Sequence, residues 1–300
     1  MKPVTAGWKY EKLIINAALT GMIPQKKDTP EVPITAQEII EDAKRCHKAG
    51  ASIVHIHARD ADGIPTWRPE PYAEIIGGIR EKCPDLIICA STSGRNFQEL
   101  EKRSAVLFLE GDLKPDLASL TLGSFNFPKQ ASINPPDIIK SLATLMKERG
   151  IKPELEVFDL GMLDYAHHLI EKKFIEEPTH INLFLGSLGS MSATPNNLSI
   201  LLNSLPKESV WSATGIGRFQ MLVNNMAIAI GGHVRVGLED NIWYDYERTV
   251  LATNEMLVKR AAATALAMGR EIATPAEARK RLGLLARYPT KGWSYTASIN

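Results

Sequence analysis

No run of apolar residues in the sequence approaches the length of a membrane span. The opening Met1-Lys2-Pro3-Val4-Thr5 has no apolar signal core. Charge of one sign is not in excess either: 35 Lys and Arg face 34 Asp and Glu, a net charge of +1. No global field therefore draws the chain to nucleic acid or to an anionic membrane. Cysteine is scarce. Cys46, Cys83 and Cys89 are odd in number, lack CxxC spacing and lie in apolar or helical contexts, so they read as free thiols in a reducing compartment. Together these absences predict a cytoplasmic protein. Low-complexity segments, linkers and close repeats are missing. Gly215-x-Gly217 is too short for a dinucleotide fingerprint and lacks a following acidic ribose partner, which argues against NAD. What remains is 300 residues, 44% hydrophobic and 23% charged, ample for one large core.

Short β-rich runs alternate with helical patterns along the whole chain. Strands are predicted at 13–18, 52–60, 86–91, 117–122, 154–158, 180–185, 209–214 and 233–238. Helices are predicted at about 35–47, 72–82, 97–109, 136–149, 163–172, 195–205 and 218–229, with extra C-terminal ones at 246–268 and 275–282. Thr35-Ala36-Gln37-Glu38 fits a capping box for the first helix, and Gly50 ends it. Eight strand–helix units without a composition break predict an α/β fold, a (β/α)8 TIM barrel, spanning residues 1–300 as one domain. A doubly wound open sheet is the alternative. Residues 286–300 hold Tyr288, Trp293 and Tyr295, which predicts a tail packed on the barrel or on a neighbouring subunit.

In such a barrel the strand carboxyl ends build the site. The second strand carries His55 and His57 one residue apart, so both imidazoles share a face and can chelate one metal ion, for which zinc is suited. Two satisfied histidines at a strand end are the plainer reading. On the eighth strand Arg235, Gly237 and Glu239 share one parity, which lets Glu239 complete two histidines and a carboxylate with a position left open. Arg235 and Asp240 then lie side by side; the guanidinium keeps the carboxylate ionised as a candidate base, or the two form a structural ion pair. The third strand ends in Ser91-Thr92-Ser93-Gly94-Arg95, small residues that expose backbone N–H groups to an anion. The fourth ends in Gly123-Ser124-Phe125-Asn126-Phe127, and the fifth offers Glu156 and Asp159. His47 reads as a surface residue and His233 as a core one. Arg218, after Gly215 and Gly217, sits at a helix start where phosphate can seat.

The segments 49–60 and 231–241, with Gly123-Ser124-Phe125-Asn126-Phe127 and Ala193-Thr194-Pro195-Asn196-Asn197-Leu198, resemble the β-keto acid cleavage enzyme family. The resemblance runs from the first strand to Pro275. It implies a zinc-dependent barrel that converts a β-keto acid and acetyl-CoA into acetoacetate and a new acyl-CoA. By the same resemblance His55, His57 and Glu239 are the zinc ligands. Ser91 helps hold the substrate carboxylate, Ser124 replaces a threonine, and Arg235 with Asp240 forms the dyad that generates the carbanion. One position departs. Ile23 stands where the amine-cleaving member carries a glutamate that pairs with the substrate amine.

The residues alone allow the same chemistry. A metal polarises the 3-keto oxygen and Asp240 takes the C2 proton. The carbanion attacks the thioester, and CoA thiolate then breaks the C2–C3 bond. Arg218 is the expected contact for the CoA phosphates. Thr92, Asn126 and Glu156 are expected at the substrate with Ser91, Ser124 and Ile23. Met22 and Ile23 cannot pair an ammonium, so a neutral tail is expected over amino- or trimethylammonium-bearing ones; Gln25, Lys26 and Lys27 folded inward favour a second carboxylate instead. No membrane or nucleic-acid partner is expected, and a homo-oligomer, dimer or tetramer, is. Rival readings are a metal-dependent amidohydrolase, which needs further histidines at later strand ends, and a non-catalytic small-molecule-binding barrel.

Overall fold

A computed structural model describes residues 10–286. Eight parallel strands close into a barrel: β1 (Ile15–Ala18), β2 (Ile53–Ile56), β3 (Ile87–Ala90), β4 (Leu117–Thr121), β7 (Lys152–Val157), β8 (Thr179–Leu185), β9 (Ser209–Gly215) and β10 (His233–Val236). Between β4 and β7 lies a small antiparallel hairpin, β5 (Phe125–Asn126) and β6 (Ala131–Ser132). The helices interleave: α1 (Ala36–Lys48), α2 (Pro69–Lys82), α3 (Leu100–Ser104), α4 (Pro136–Glu148), α5 (Leu160–Glu171), α6 (Pro195–Asn203), α7 (Gln220–Ala229), α8 (Asn254–Ala267) and α9 (Pro275–Leu282). Strand order places β4 diametrically across the barrel from β10.

Local chemistry explains the elements. The Thr35 hydroxyl accepts from Glu38 N, and the Glu38 carboxylate accepts from Thr35 N, so the capping box opens α1. Ile39, Ala43 and Cys46 make the buried stripe of that helix. Gly50, at φ 114°, turns the chain into β2. Most of the apolar core fills the layer between strands and helices. A second apolar cluster, with Ile14, Ile53, Ile87 and Leu117 under Ala278 and Leu282 of α9, plugs the amino end of the barrel.

Several expectations change. The helix predicted at 246–268 starts only at Asn254. The Asp245 carboxylate accepts from the amides of Thr249 and Val250, and Thr253 caps the true start by accepting from Met256 N. The helix predicted over 97–109 is α3 followed by a 3-10 turn at Ala105–Phe108. His47 is buried, not on the surface, with Nδ1 against the Ala51 carbonyl oxygen at 3.3 Å. His233 is a core residue as expected, accepting from Ile14 N at 3.0 Å. Residues 287–300 of the predicted tail lie outside the described residues.

Candidate active site

The barrel axis is polar. Glu154 is completely buried on β7 and gathers the side chains around it. One of its oxygens accepts from the Asn16 and Asn182 side-chain amides at 2.5 Å each. The other lies 2.9 Å from His55 Nδ1 and 3.0 Å from Cys89 Sγ, which donates to it. Burial alone would raise the carboxyl pKa, but His55 and Arg235 outweigh it and hold Glu154 ionised. An Nδ1–H donated to Glu154 directs His55 Nε2 toward the strand ends, where its lone pair is the one a metal would take.

That nitrogen is 3.3 Å from His57 Nε2. Glu239 closes the triangle, with one oxygen 3.3 Å from His57 Nε2 and the other 3.8 Å from His55 Nε2. The second oxygen is buried and has no hydrogen-bond partner. Ligand atoms that share a tetrahedral ion at about 2.0–2.1 Å stand about 3.3 Å apart. Two imidazole nitrogens and an orphaned carboxylate oxygen at these separations therefore fit a metal ion. Burial lowers the His57 pKa, and Glu239 offsets this only in part, so the ring stays neutral as a ligand must.

Glu239 arrives by a turn, not by strand parity. β10 ends at Val236, and the amides of Asp240 and Asn241 both donate to the Gly237 carbonyl. Gly237 has φ 146°, and a Cβ there would strike the Ala18 carbonyl oxygen. Gly21, at φ 67°, is equally constrained: its Cβ would lie 2.6 Å from Glu239 Cγ.

Arg235 is 1% exposed and faces four acids. Its Nε donates to Asp240 at 2.9 Å and its Nη2 approaches Glu239 at 2.8 Å. Nη1 has no hydrogen bond and faces Glu156 at 3.6 Å and Glu154 at 3.9 Å. Burial pushes the Asp240 carboxyl up; Arg235 opposes this, Glu239 adds to it, and the pKa ends raised. The sequence predicted a carboxylate simply steadied by Arg235. The buried group is a stronger base than that. Glu156 is likewise raised by burial against the pull of Arg235, and accepts from Thr121 at 2.6 Å.

These groups open on a cavity of about 330 Å³. Ile23, Ser91, Glu156, Arg235, Glu239 and Asp240 all line it. His57 lines it too, with His55 behind it, whereas four other predicted residues are placed elsewhere. The Thr92 hydroxyl donates to the Ser119 carbonyl and its amide to Ser119 Oγ. Ser124 Oγ accepts from Asn134 N, and Asn126 is exposed on the hairpin. Arg218 is exposed on the rim, its guanidinium 5.5 Å from the Tyr246 ring. The anion-facing amides expected after β3 are also taken: Ser93 N donates to Ser91 Oγ and Arg95 N to Ser93 Oγ. Sequence reasoning missed Glu154, Thr121 and the role of the hairpin. Glu154 was findable, since it shares strand parity with Glu156.

A family model described as beta-keto acid cleavage enzyme matches residues 12–284. The 3-keto-5-aminohexanoate cleavage enzyme of Fusobacterium nucleatum is 43% identical over 277 residues, covering 91% of this chain and 98% of the relative. The 3-oxoadipate:acetyl-CoA acetyltransferase of Cupriavidus necator is 38% identical over 274 residues, covering 90% and 94%. The solved apo structure of ObcA shares the fold, with a TM-score of 0.74 at 23% identity, over 85% of this chain and 66% of that one. With the match spanning the barrel and the site it encloses, the chain belongs to the beta-keto acid cleavage enzyme family.

Proposed function

We propose that the protein transfers the acyl group of a β-keto acid to CoA at the expense of acetyl-CoA, releasing acetoacetate, with one zinc ion per subunit held by His55, His57 and Glu239. The observation that carries this reading is Asp240, 2.9 Å from Arg235 and opening on the same cavity as His57 and Glu239 of that ligand set. When bound, zinc supplies a Lewis acid for the 3-keto oxygen. Asp240 takes the C2 proton, and Arg235 holds it in place through two nitrogens. The C2 carbanion forms a bond to the acetyl carbon and expels CoA thiolate. The thiolate adds to the original 3-keto carbon, the C2–C3 bond breaks, and Asp240 returns the proton to C2 of acetoacetate. Ser91 lines the cavity where it can steady the substrate carboxylate. Glu156 stands next to Arg235 as the second candidate base. Arg218, beside Tyr246 on the rim, is the proposed contact for the CoA phosphates.

The tail of the substrate lies along Met22, Ile23, Phe125, Phe158 and Phe184, an apolar wall that offers no partner to an ammonium. The loop cations expected as an alternative do not turn inward: Lys26 pairs with Glu38 at 2.7 Å, and none of Gln25, Lys26 and Lys27 lines the cavity. The test is metal analysis of the purified protein together with acetoacetate release from a panel of keto acids and acetyl-CoA. Stoichiometric zinc and release from at least one non-cationic keto acid are expected. A metal-free protein, or hydrolysis without acyl transfer, overturns the reading.

A further inference from the structure

One cation in the cavity wall has no part in that chemistry. Arg95 follows β3 and is fixed at three points. Its amide donates to Ser93 Oγ, its carbonyl accepts from Gln130 Nε2 at 2.7 Å, and its guanidinium carbon lies 3.4 Å from the centre of the Phe127 ring. Stacking of this kind leaves the edge of the guanidinium, with its forked N–H donors, free to meet a planar anion. Among the described residues no carboxylate pairs with it. The cavity acids Glu156, Glu239 and Asp240 are turned to Arg235 instead, at 3.6, 2.8 and 2.9 Å. Lys129 adds a second positive charge to the same wall. A half-buried guanidinium held rigid and without a partner is matched by an anionic ligand.

We infer that Arg95 holds the remote carboxylate of a dicarboxylic β-keto acid; this rests on the acyl-transfer reading above. The reactive end of the substrate belongs at Asp240, beyond the end of β10. Arg95 is held by the hairpin that follows β4, on the opposite side of the barrel. The wall between the two is aromatic, Phe125 stacking on Phe158 and Phe158 on Phe184, which suits a methylene chain. The uncharged tail expected from Met22 and Ile23 counted only the loop after β1. Arg95 keeps the chain apolar along its length and places the negative charge at its end.

The test compares the six-carbon 3-oxo diacid with 3-oxohexanoate as acyl donors, in the wild type and in Arg95→Gln and Arg95→Lys. The wild type is expected to favour the diacid. Arg95→Gln is expected to lower kcat/KM for the diacid about 10- to 100-fold more than for the monoacid, with partial recovery in Arg95→Lys. Equal losses for both acids would place Arg95 at the carboxylate next to the reacting carbon. A raised KM for acetyl-CoA alone would place it at a CoA phosphate. Either result overturns the inference, as does a wild-type preference for the monoacid. Calorimetric binding of adipate against hexanoate separates this from the function itself. Adipate binding that is tighter and lost in Arg95→Gln supports the anion seat even if no keto acid turns over; equal binding of the two probes overturns it.

Discussion

Two buried clusters of acid and arginine occupy opposite ends of this barrel, and they are built on opposite principles. At the amino end, Asp116 has arginines on both oxygens: Arg279 at 2.8 Å on one, Arg80 at 2.5 Å on the other, which also accepts from Ile88 N. At the carboxyl end one arginine, Arg235, faces four carboxylates. There, Arg235 Nη1 and one Glu239 oxygen remain without hydrogen bonds. Where one acid is shared between two arginines, both carboxylate oxygens are engaged and the cluster contributes stability. Where one arginine is shared among four acids, the cluster is costly to the fold and keeps its unused atoms for binding and proton transfer.

The comparison breaks most visibly if the Arg235 end is emptied. His55→Ala or Glu239→Ala is expected to remove the metal and abolish acetoacetate release, with the far-ultraviolet circular dichroism close to wild type. A variant that retains one zinc per chain would refute the ligand assignment. Asp240→Asn is expected to keep the metal and lose about 10²- to 10⁴-fold in kcat. Exchange of the substrate C2 proton with deuterium should fall in step; undiminished exchange would move the base to Glu156.

The Asp116 end should respond in stability alone. Asp116→Ala removes the buried carboxylate that two guanidinium groups share and is expected to cost about 3–5 kcal/mol in denaturant unfolding, while the folded fraction retains its specific activity. The acid dependence sharpens the point. Burial would raise the Asp116 carboxyl, but Arg80 and Arg279 outweigh it and pull the pKa down to about 2. A pKa lower in the folded than in the unfolded chain gives stability that is full above about pH 4 and lost as pH falls through the folded value near 2. Asp116→Asn should remove that component of the acid unfolding profile; an unchanged profile would contradict the pairing. The smallest expected effect is at the join between the reactive site and the barrel interior. Glu154→Gln, which leaves His55 Nδ1 with a weaker acceptor, is expected to weaken metal affinity about 10- to 100-fold, measured by competition with a chromogenic chelator.

The reach of the sequence differs between these regions for physical reasons. Strand and helix order was legible because alternation and helical spacing are local, and His55–x–His57 placed two imidazoles together through strand parity. The Asp116 cluster was not legible, since it joins residues 80, 116 and 279 through the closure of the barrel. The β5–β6 hairpin is too short to leave a periodic signal, so Phe127 gave no hint that it would orient Arg95. Thr92 and Ser124 look like ligand-binding hydroxyls in one dimension. Only the fold reveals that Ser119 and Asn134 already occupy them.

Gly21 touches Glu239 and immediately precedes Met22 and Ile23 in the cavity wall. Any side chain at position 21 would push the Glu239 carboxylate out of place, whereas 22 and 23 line the cavity. The loop is thus divided between one position closed to mutation and two open to it. A lineage, or an engineer, can reshape the cavity wall at 22 and 23 without crowding Glu239, and a single step toward the amino terminus ends that freedom.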